Sequence, residues 1–253
     1  MSVILDEPDI DVRFSETDWS ALHGVALEPG VVHVYAARIG GGVEPNDALL
    51  SDAELERARS FVRDSDRRNF IESRAFLRRI LAGHAAAAPA EIQFEHGPWG
   101  KPRLSGSPGS RSLEFSLSHS RGVVLVGLAM DQAIGIDVEL MRRLDDYDKL
   151  AQRFFAPGEY RDLCALPEPA RLRGFFRYWT RKEAVVKALG TGMRTPFDSF
   201  AVTLTATVQR IDLRMSAPCA SEWSLHQLEP CEGAIGALAA PFRVRRIEAR
   251  LIA

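Results

Sequence analysis

Two acidic side chains, Asp137 and Glu139, lie two residues apart in the segment GIDVE, which follows a strongly apolar run. On a β-strand, residues two apart point to the same face, so these carboxylates lie side by side. Adjacent anions repel each other, and their burial is costly unless a cation neutralises them. A hard divalent ion with oxygen ligands, Mg²⁺ first, is the natural partner. The competing interpretation is a solvated acidic pair on an edge strand.

A second charged set lies in WTRKEAVVK, residues 179–187 of a long predicted helix. Glu183 and Lys187 are four residues apart and therefore share a helix face. Taken alone, they are typical of a surface ion pair worth about 0.2–0.5 kcal/mol. Placed beside the carboxylate strand, Glu183 would supply a third metal ligand and Lys187 a phosphate contact.

The segment FSLSHSRG, residues 115–122, predicts a strand that runs into a polar turn. Hydroxyl, imidazole and backbone N–H groups are suitable phosphate donors, which makes Ser118 and His119 candidates. The competing chemistry is a Ser–His nucleophile pair. No G-x-S-x-G elbow surrounds these serines, and adjacency in sequence does not create a triad. A polar turn without function is the third interpretation.

The basic residues comprise only four lysines among 32 Lys and Arg. One of the four, Lys101, lies in the turn GPWGKP, which is not a Walker A loop because that motif needs G-x-x-x-x-G-K-[ST]. A compact ammonium and a guanidinium fork are not interchangeable, so a retained lysine deserves weight. Two predicted helices also carry an arginine set that indicates either anion contacts or solvated helix faces: Arg57, Arg68, Arg74 and Arg78.

The elements that must position these side chains predict an α+β fold, because helices and strands do not alternate as in a parallel sheet. A capping box at Ser51 and Glu54 predicts a helix start. A short connection at Asp131 and Gln132 predicts a hairpin between two strands. In order, we expect strand 31–38, a helix from 51, helix 64–81 ended by Gly83, extended segments 91–95 and 113–117, strands 122–130 and 133–140, helices 145–155, 158–166 and 169–189 ended by Gly190, and four β segments from residue 200 onwards.

Composition and charge exclude several classes of protein. A net charge of −2 over 253 residues argues against a general nucleic-acid or membrane-surface binder. Three cysteines without a CxxC pattern argue against a disulfide framework and fit a reducing cytosol. The acidic N-terminus is not typical of a signal peptide, and the apolar run 123–130 is too short to span a bilayer. We therefore expect a cytoplasmic protein.

In combination, these motifs resemble the phosphopantetheinyl transferase superfamily, specifically its pseudo-dimeric, surfactin-synthetase-activating branch. The resemblance implies two similar α/β halves related by a pseudo-twofold axis, with the active site in the cleft between them. We expect the halves to be residues 1–131, with the nucleotide contacts, and 132–253, with the metal site. The matching segments are GKP at 100–102, FSLSHS at 115–120, GIDVE at 135–139, RFF at 153–155, WTRKEAVVKALG at 179–190 and PFDSFAV at 196–202.

The resemblance also implies roles for individual residues. Asp137, Glu139 and Glu183 would hold Mg²⁺ on the pyrophosphate of coenzyme A. The acceptor hydroxyl also needs a base, and Glu183 would serve either directly or through a metal-bound water. Lys187 would contact the same phosphates and take part in catalysis. The nucleotide half of coenzyme A would be held by Lys101, Ser118, His119 and Arg57, with Arg74 and Arg78 as looser assignments. Glu54 departs from relatives that carry a lysine there.

The activity implied is transfer of the 4′-phosphopantetheine arm of coenzyme A to a serine of an apo carrier protein, with release of 3′,5′-ADP. Peptidyl or acyl carriers of secondary metabolism are the expected partners, and a monomer is expected. A stripe of Arg173, Arg177 and Arg181 is a candidate carrier contact, because residues four apart share a helix face. The alternatives are another Mg²⁺-dependent phosphoester enzyme and a non-catalytic module that binds coenzyme A or the carrier.

Overall fold

A computed structural model of the chain describes residues 12–22, 25–39, 46–85, 87–105, 113–205, 208–209, 211 and 222–252. Its strands and helices confirm an α+β architecture. The strands are β1 (Phe14–Thr17), β2 (Val31–Arg38), β3 (Phe94–His96), β4 (Pro102–Leu104), β5 (Leu113–Ser120), β6 (Val123–Met130), β7 (Gly135–Leu140), β8 (Val208–Gln209), β9 (Trp223–Leu228), β10 (Ala234–Ala240) and β11 (Arg246–Ile252). The helices are α1 (Asp52–Arg59), α2 (Asp64–Ala85), α3 (Tyr147–Phe154), α4 (Pro157–Ala165) and α5 (Glu168–Leu189).

The first sheet has five strands in the order β1-β11-β2-β6-β5. Helix α2 covers one of its faces, where Phe76 and Leu81 pack with Tyr35, Val126 and other apolar side chains of the sheet. The last strand of the chain, β11, runs parallel to β2 and lies beside it. The expected boundary at residue 131 stays a prediction, and β11 lies with strands that precede that boundary.

The second sheet has four strands in the order β7-β10-β9-β8, and α5 packs across it. The approach of α5 to β7 depends on Gly135, the first residue of GIDVE. A β-carbon at this position would lie only 1.9 Å from the carbonyl oxygen of Ala184. Any larger residue would push the helix away from the strand, so Gly135 sets the distance between the two elements that carry the candidate site.

The hairpin expected at Asp131 and Gln132 is wrong. Strand β6 hydrogen-bonds β2 on one side and β5 on the other, so it has no free edge left for β7. The chain instead passes into the second sheet, where β7 pairs with β10. Apolar side chains of the two sheets then pack face to face in a shared core, among them Val34, Leu125, Ile136 and Leu238.

Other expectations were met to different degrees. Strand β2 has the predicted bounds, the Ser51 capping box is present, and α5 ends at a left-handed Gly190. Helix α2 does not end at Gly83 but continues to Ala85. Of the four β segments expected from residue 200 onwards, the first corresponds to β8 alone within the described residues, and the other three correspond to β9, β10 and β11. Strand β1 was not foreseen, because four residues at a sheet edge carry little periodic signal.

None of the helices in the described ranges is both long enough and apolar enough to cross a membrane.

Candidate active site

The candidate site is built where the edge strands of the two sheets meet. Strand β5 ends the first sheet and β7 ends the second. They are joined by alternate serine hydroxyls of β5, which we call the serine ladder: Ser116, Ser118 and Ser120. These hydroxyl oxygens accept hydrogen bonds from the backbone N–H groups of Ile136 (3.0 Å), Val138 (3.3 Å) and Leu140 (3.4 Å). The ladder therefore fixes β7, and the carboxylates on it, against β5.

Asp137 and Lys187 meet at the centre of the site. The Lys187 ammonium donates to Asp137 Oδ1 at 2.7 Å and to Ser118 Oγ at 2.9 Å. The Ser118 hydroxyl in turn donates to Asp137 Oδ1 at 2.8 Å. With the Val138 N–H as a further donor to it, the single proton and both lone pairs of Ser118 are used within the protein. Ser118 thus orients Asp137 and Lys187.

Glu139 lies two residues further along β7 and is held from two sides. Ser120 Oγ donates to Glu139 Oε2 at 2.7 Å, and Arg142 Nη1 lies 3.5 Å from the same oxygen. Burial raises the pKa of Glu139, an effect that the Ser120 hydrogen bond opposes and the Asp137 charge reinforces. An uncompensated carboxylate is therefore unfavourable here, as the sequence suggested.

Glu183 faces these carboxylates from α5. Burial is the main cause that raises the pKa of Glu183, and the neighbouring charge of Asp137 adds to it, whereas Lys187 lowers it. A carboxyl group with a raised pKa is a better proton acceptor than an ordinary glutamate, provided that it is ionised. The position thus suits both a cation ligand and a general base.

A cavity of about 280 Å³ opens between these elements. Its volume is close to the lower end of the range for ligand pockets. The sequence-predicted residues Ser118, His119, Asp137, Glu139, Glu183 and Lys187 all line it, together with Leu117, Val138 and Trp179. Strand β5, strand β7 and helix α5 are thus brought together as the motifs indicated.

The donor set fits a divalent cation. Asp137 Oδ2 is buried and, within the described residues, has no hydrogen-bond partner. In the part of the chain that the structure describes, no three His, Cys, Asp or Glu side chains form a ready cage for a metal ion. Magnesium does not need such a cage, because it is usually held by one or two carboxylates with waters and substrate phosphates completing its octahedron. The orphaned Asp137 oxygen beside Glu139 and Glu183 meets that requirement.

His119 lies exposed at the rim of the cavity. Partial desolvation lowers its pKa, and the positive charges of Lys187 and Arg74 lower it further, whereas Asp137 raises it. The imidazole is therefore mostly neutral at pH 7 and offers one N–H donor. The guanidinium of Arg74, whose positive charge lowers the pKa of His119, stacks over the ring of Phe70.

Lys101 and Arg57 do not line the cavity. The Lys101 ammonium donates to the Ile134 carbonyl at 3.0 Å, and its side chain packs against Gly190 at the end of α5. Burial lowers the pKa of Lys101. Arg57 is exposed on α1, with its guanidinium over the ring of Phe61. The expected contacts of both residues with coenzyme A stay predictions.

Arg78 is not a solvated side chain. It is 1% exposed, and its guanidinium donates to Glu54 Oε2 at 2.8 Å and to the carbonyl oxygens of Pro89 and Ile92. Through these contacts, the Arg78 side chain connects α2 to α1 and to the segment before β3. The acidic Glu54, which departs from the lysine of some relatives, is the partner of this buried guanidinium.

The expected arginine stripe on α5 is wrong for two of its three members. Arg181 is buried and donates to the Thr203 carbonyl, and Arg177 donates to Gln227 and to the Leu204 carbonyl. Both side chains hold the segment after residue 200 against α5. Only Arg173 is exposed, and it pairs with Glu229.

Lys182 points away from the site although it precedes Glu183. Its ammonium is fully buried and contacts Glu159 Oε1 at 2.9 Å and the carbonyls of Phe197 and Phe200 at 2.7 Å each. Glu159 also accepts the backbone N–H groups of Ala156 and Val202 at 2.7 Å each. This network joins α4, α5 and the PFDSFAV segment, so the retained lysine is explained by packing.

Sequence reasoning missed Ser120, Ser116 and Arg142. The signal for the two serines was present in the alternation Ser-x-Ser-x-Ser of FSLSHS, which places three hydroxyls on one face of a strand. Trp179 packs on Phe154 and Phe197 and also lines the cavity.

Comparison with known proteins points to one family. Residues 133–239 match the 4′-phosphopantetheinyl transferase superfamily. The chain is 38% identical over 192 residues to the 4′-phosphopantetheinyl transferase HetI of Nostoc sp., covering 76% of this chain and 78% of that protein. It is 33% identical over 180 residues to the 4′-phosphopantetheinyl transferase psf-1 of Bacillus pumilus, covering 70% and 73%. It is 29% identical over 157 residues to the 4′-phosphopantetheinyl transferase Sfp of Bacillus subtilis, covering 62% and 67%.

Proposed function

This chain belongs to the 4′-phosphopantetheinyl transferase superfamily, and we propose that it moves the phosphopantetheine arm of coenzyme A to a serine of apo carrier proteins, with Mg²⁺ as cofactor. The observation that carries this proposal is the cavity in which Asp137, Glu139, Glu183 and Lys187 converge. Three carboxylates, one of which has a buried oxygen without a hydrogen-bond partner among the described residues, favour a metal-assisted reaction of a phosphate ester over a non-catalytic binding module.

The transfer makes one bond and breaks one. The carrier serine Oγ forms a bond to the phosphorus that bears pantetheine, and the pyrophosphate P–O bond breaks so that 3′,5′-ADP leaves. When bound at Asp137, Glu139 and Glu183, Mg²⁺ supplies charge neutralisation for the pyrophosphate. Glu183, the carboxylate that lines the cavity from α5, takes the proton of the serine hydroxyl. The Lys187 ammonium stabilises the charge that develops on the phosphate oxygens.

The nucleotide half of coenzyme A is assigned to the β5 side of the cleft. His119, a neutral donor at the rim, is the nearest candidate for its 3′-phosphate, and Arg74 adds positive charge beside it. We assign Lys101 and Arg57 to more distant phosphate contacts. The Ser118 hydroxyl already donates to Asp137 and accepts from Lys187 and the Val138 N–H. Its expected contact with a phosphate therefore requires that the hydrogen bond from Lys187 or from the Val138 N–H is broken.

The remaining features of the proposal rest on the same family and fold. Each of the two larger sheets carries one long helix, α2 on the first and α5 on the second, which supports two halves related by a pseudo-twofold axis. We further propose a monomeric, cytoplasmic enzyme that serves peptidyl or acyl carriers of secondary metabolism. Within the described residues, Cys164 and Cys231 are free thiols, as expected in a reducing compartment.

Intact-mass measurement of a panel of apo carrier proteins tests the activity. Each carrier is incubated with coenzyme A, with and without Mg²⁺. A mass gain of one phosphopantetheine on the carrier, dependent on Mg²⁺ and accompanied by 3′,5′-ADP, is expected. Phosphate release from simple esters without a carrier would support a phosphoester hydrolase instead. Binding of coenzyme A without transfer to any carrier would support a binding module.

A further inference from the structure

We propose that Ser120 is a positioning residue that holds the Glu139 carboxylate in the cation site, an inference that rests on the proposed function. Three serines of β5 accept N–H groups of β7, yet they differ in what their own protons do. Ser118 donates to Asp137 and Ser120 donates to Glu139. Each acidic residue of GIDVE therefore has its own serine on the facing strand.

The contact between Ser120 and Glu139 joins two sheets. Ser120 Oγ donates to Glu139 Oε2 at 2.7 Å and accepts a hydrogen bond from the Leu140 N–H at 3.4 Å. The hydroxyl thus links the side chain of Glu139 to the backbone of the residue that follows it. Because β5 and β7 are rigid strands, this link restricts the rotamers of a carboxylate that would otherwise swing freely on its two methylene groups.

Arg142 competes for the same carboxylate oxygen. Its Nη1 lies 3.5 Å from Glu139 Oε2, and its side chain is about one-third exposed. Without the Ser120 proton, the guanidinium remains as a donor to this oxygen. A guanidinium forms charge-assisted, bidentate hydrogen bonds with carboxylates, so Glu139 would turn toward Arg142 and away from Asp137. Ser120 therefore determines which of two positions the carboxylate takes.

Ser116 provides a matched control within the same ladder. Its oxygen accepts the Ile136 N–H at 3.0 Å, and it lies two residues before Ser118 on the same strand. It is not among the residues that line the cavity. Ser116→Ala therefore removes one strand-joining hydrogen bond without touching a carboxylate, whereas Ser120→Ala removes both kinds of contact.

The test compares wild type, Ser116→Ala, Ser120→Ala and Ser120→Thr. Binding of Mn²⁺, as a paramagnetic substitute for Mg²⁺, is titrated by electron paramagnetic resonance on the protein saturated with coenzyme A, and the melting temperature and the KM for Mg²⁺ are measured in parallel. We expect Ser120→Ala to weaken Mn²⁺ binding by about tenfold or more, as for other groups that orient metal ligands. Ser116→Ala, which loses only a strand-joining hydrogen bond, should weaken Mn²⁺ binding much less than Ser120→Ala does, and Ser120→Thr, which keeps the hydroxyl, should retain most of the affinity.

The outcomes separate this inference from the proposed function. If wild type transfers phosphopantetheine with Mg²⁺ but Ser120→Ala and Ser116→Ala both bind Mn²⁺ as tightly as wild type, the positioning role is wrong and the enzyme assignment stands. Equal weakening in both variants, with equal loss of melting temperature, also overturns it, because the effect is then structural. Absence of Mg²⁺-dependent transfer by wild type overturns the proposed function itself.

Adding Arg142→Gln to Ser120→Ala tests the competition directly. If Arg142 draws Glu139 out of the site, its removal should recover a measurable part of the lost Mn²⁺ affinity. No recovery in the double variant would contradict the competition between the two donors.

Discussion

The ammonium of Lys187 on α5 lies 2.7 Å from Asp137 Oδ1 on β7, and this contact joins the helix to the strand inside the cavity. The second oxygen of the same carboxylate, Oδ2, is buried and has no hydrogen-bond partner among the described residues. One oxygen of Asp137 is thus committed to a positive side chain and the other is available to a cation. The pair organises the site before any ligand enters.

The first prediction concerns Asp137. Asp137→Asn keeps the size of the side chain but removes the charge that a cation needs, so turnover should fall by roughly 10²-fold or more, equivalent to several kcal/mol. The rate of carrier modification at limiting Mg²⁺ measures the effect, and circular dichroism verifies the fold. The same change at exposed Asp145 is the control and should leave the rate unchanged. Near-normal turnover of a folded Asp137→Asn protein would remove Asp137 from the metal site.

The second prediction concerns Lys187. Lys187→Arg keeps the charge, yet a guanidinium is longer and planar, and it would bind Asp137 bidentately instead of sharing its protons between Asp137 and Ser118. We expect a loss of roughly tenfold or more in kcat/KM for coenzyme A. Lys149→Arg on the exposed surface of α3 is the matched control. Wild-type kinetics for Lys187→Arg would show that the site does not discriminate an ammonium from a guanidinium.

The sequence predicted the site better than the path of the chain between its parts. GIDVE and WTRKE lie in the strand and the helix that were predicted for them, because strand and helix periodicity and a Gly190 cap are local signals. FSLSHS was predicted to leave its strand after residue 117 for a polar turn, but it stays in β5 as far as Ser120. The pairing of β7 with β10 instead of β6 depends on which strand edges are already occupied, and no local pattern encodes that. The boundaries of short edge strands such as β1 are equally non-local.

Charged helix residues were the least predictable part of the site. Arg181, Lys182 and Glu183 are consecutive, yet the first two are buried structural contacts and only the third lines the cavity. Their burial depends on residues 197–203, whose carbonyl oxygens accept hydrogen bonds from Arg181 and Lys182. A sequence pattern on one helix cannot reveal that partner.

The third prediction concerns the buried pair of Lys182 and Glu159. Lys182→Met leaves the Glu159 carboxylate buried without its cation and should lower the free energy of unfolding by about 3–5 kcal/mol. Adding Glu159→Gln removes that uncompensated charge and should recover part of the loss. Denaturant unfolding of wild type, both single variants and the double variant measures the coupling. A double variant whose loss equals the sum of the single losses would show that the pair does not act as a unit.

The last prediction concerns His226, which lies buried in β9. Burial, followed by the positive charge of Arg181, lowers the pKa of His226 to about 4, and neither ring nitrogen has a hydrogen-bond partner within the described residues. The unfolded chain binds a proton near pH 6.5 and the folded chain does not until about pH 4, so this side chain makes stability fall as pH decreases between those values. From pH 7 to pH 5 the loss from this one group is about 2 kcal/mol. His226→Leu, similar in volume and unable to take up a proton, should reduce the change in the free energy of unfolding over that range by about this amount. Denaturant unfolding at both pH values measures it, and an unchanged pH dependence would mean that the folded protein accommodates the imidazolium at position 226.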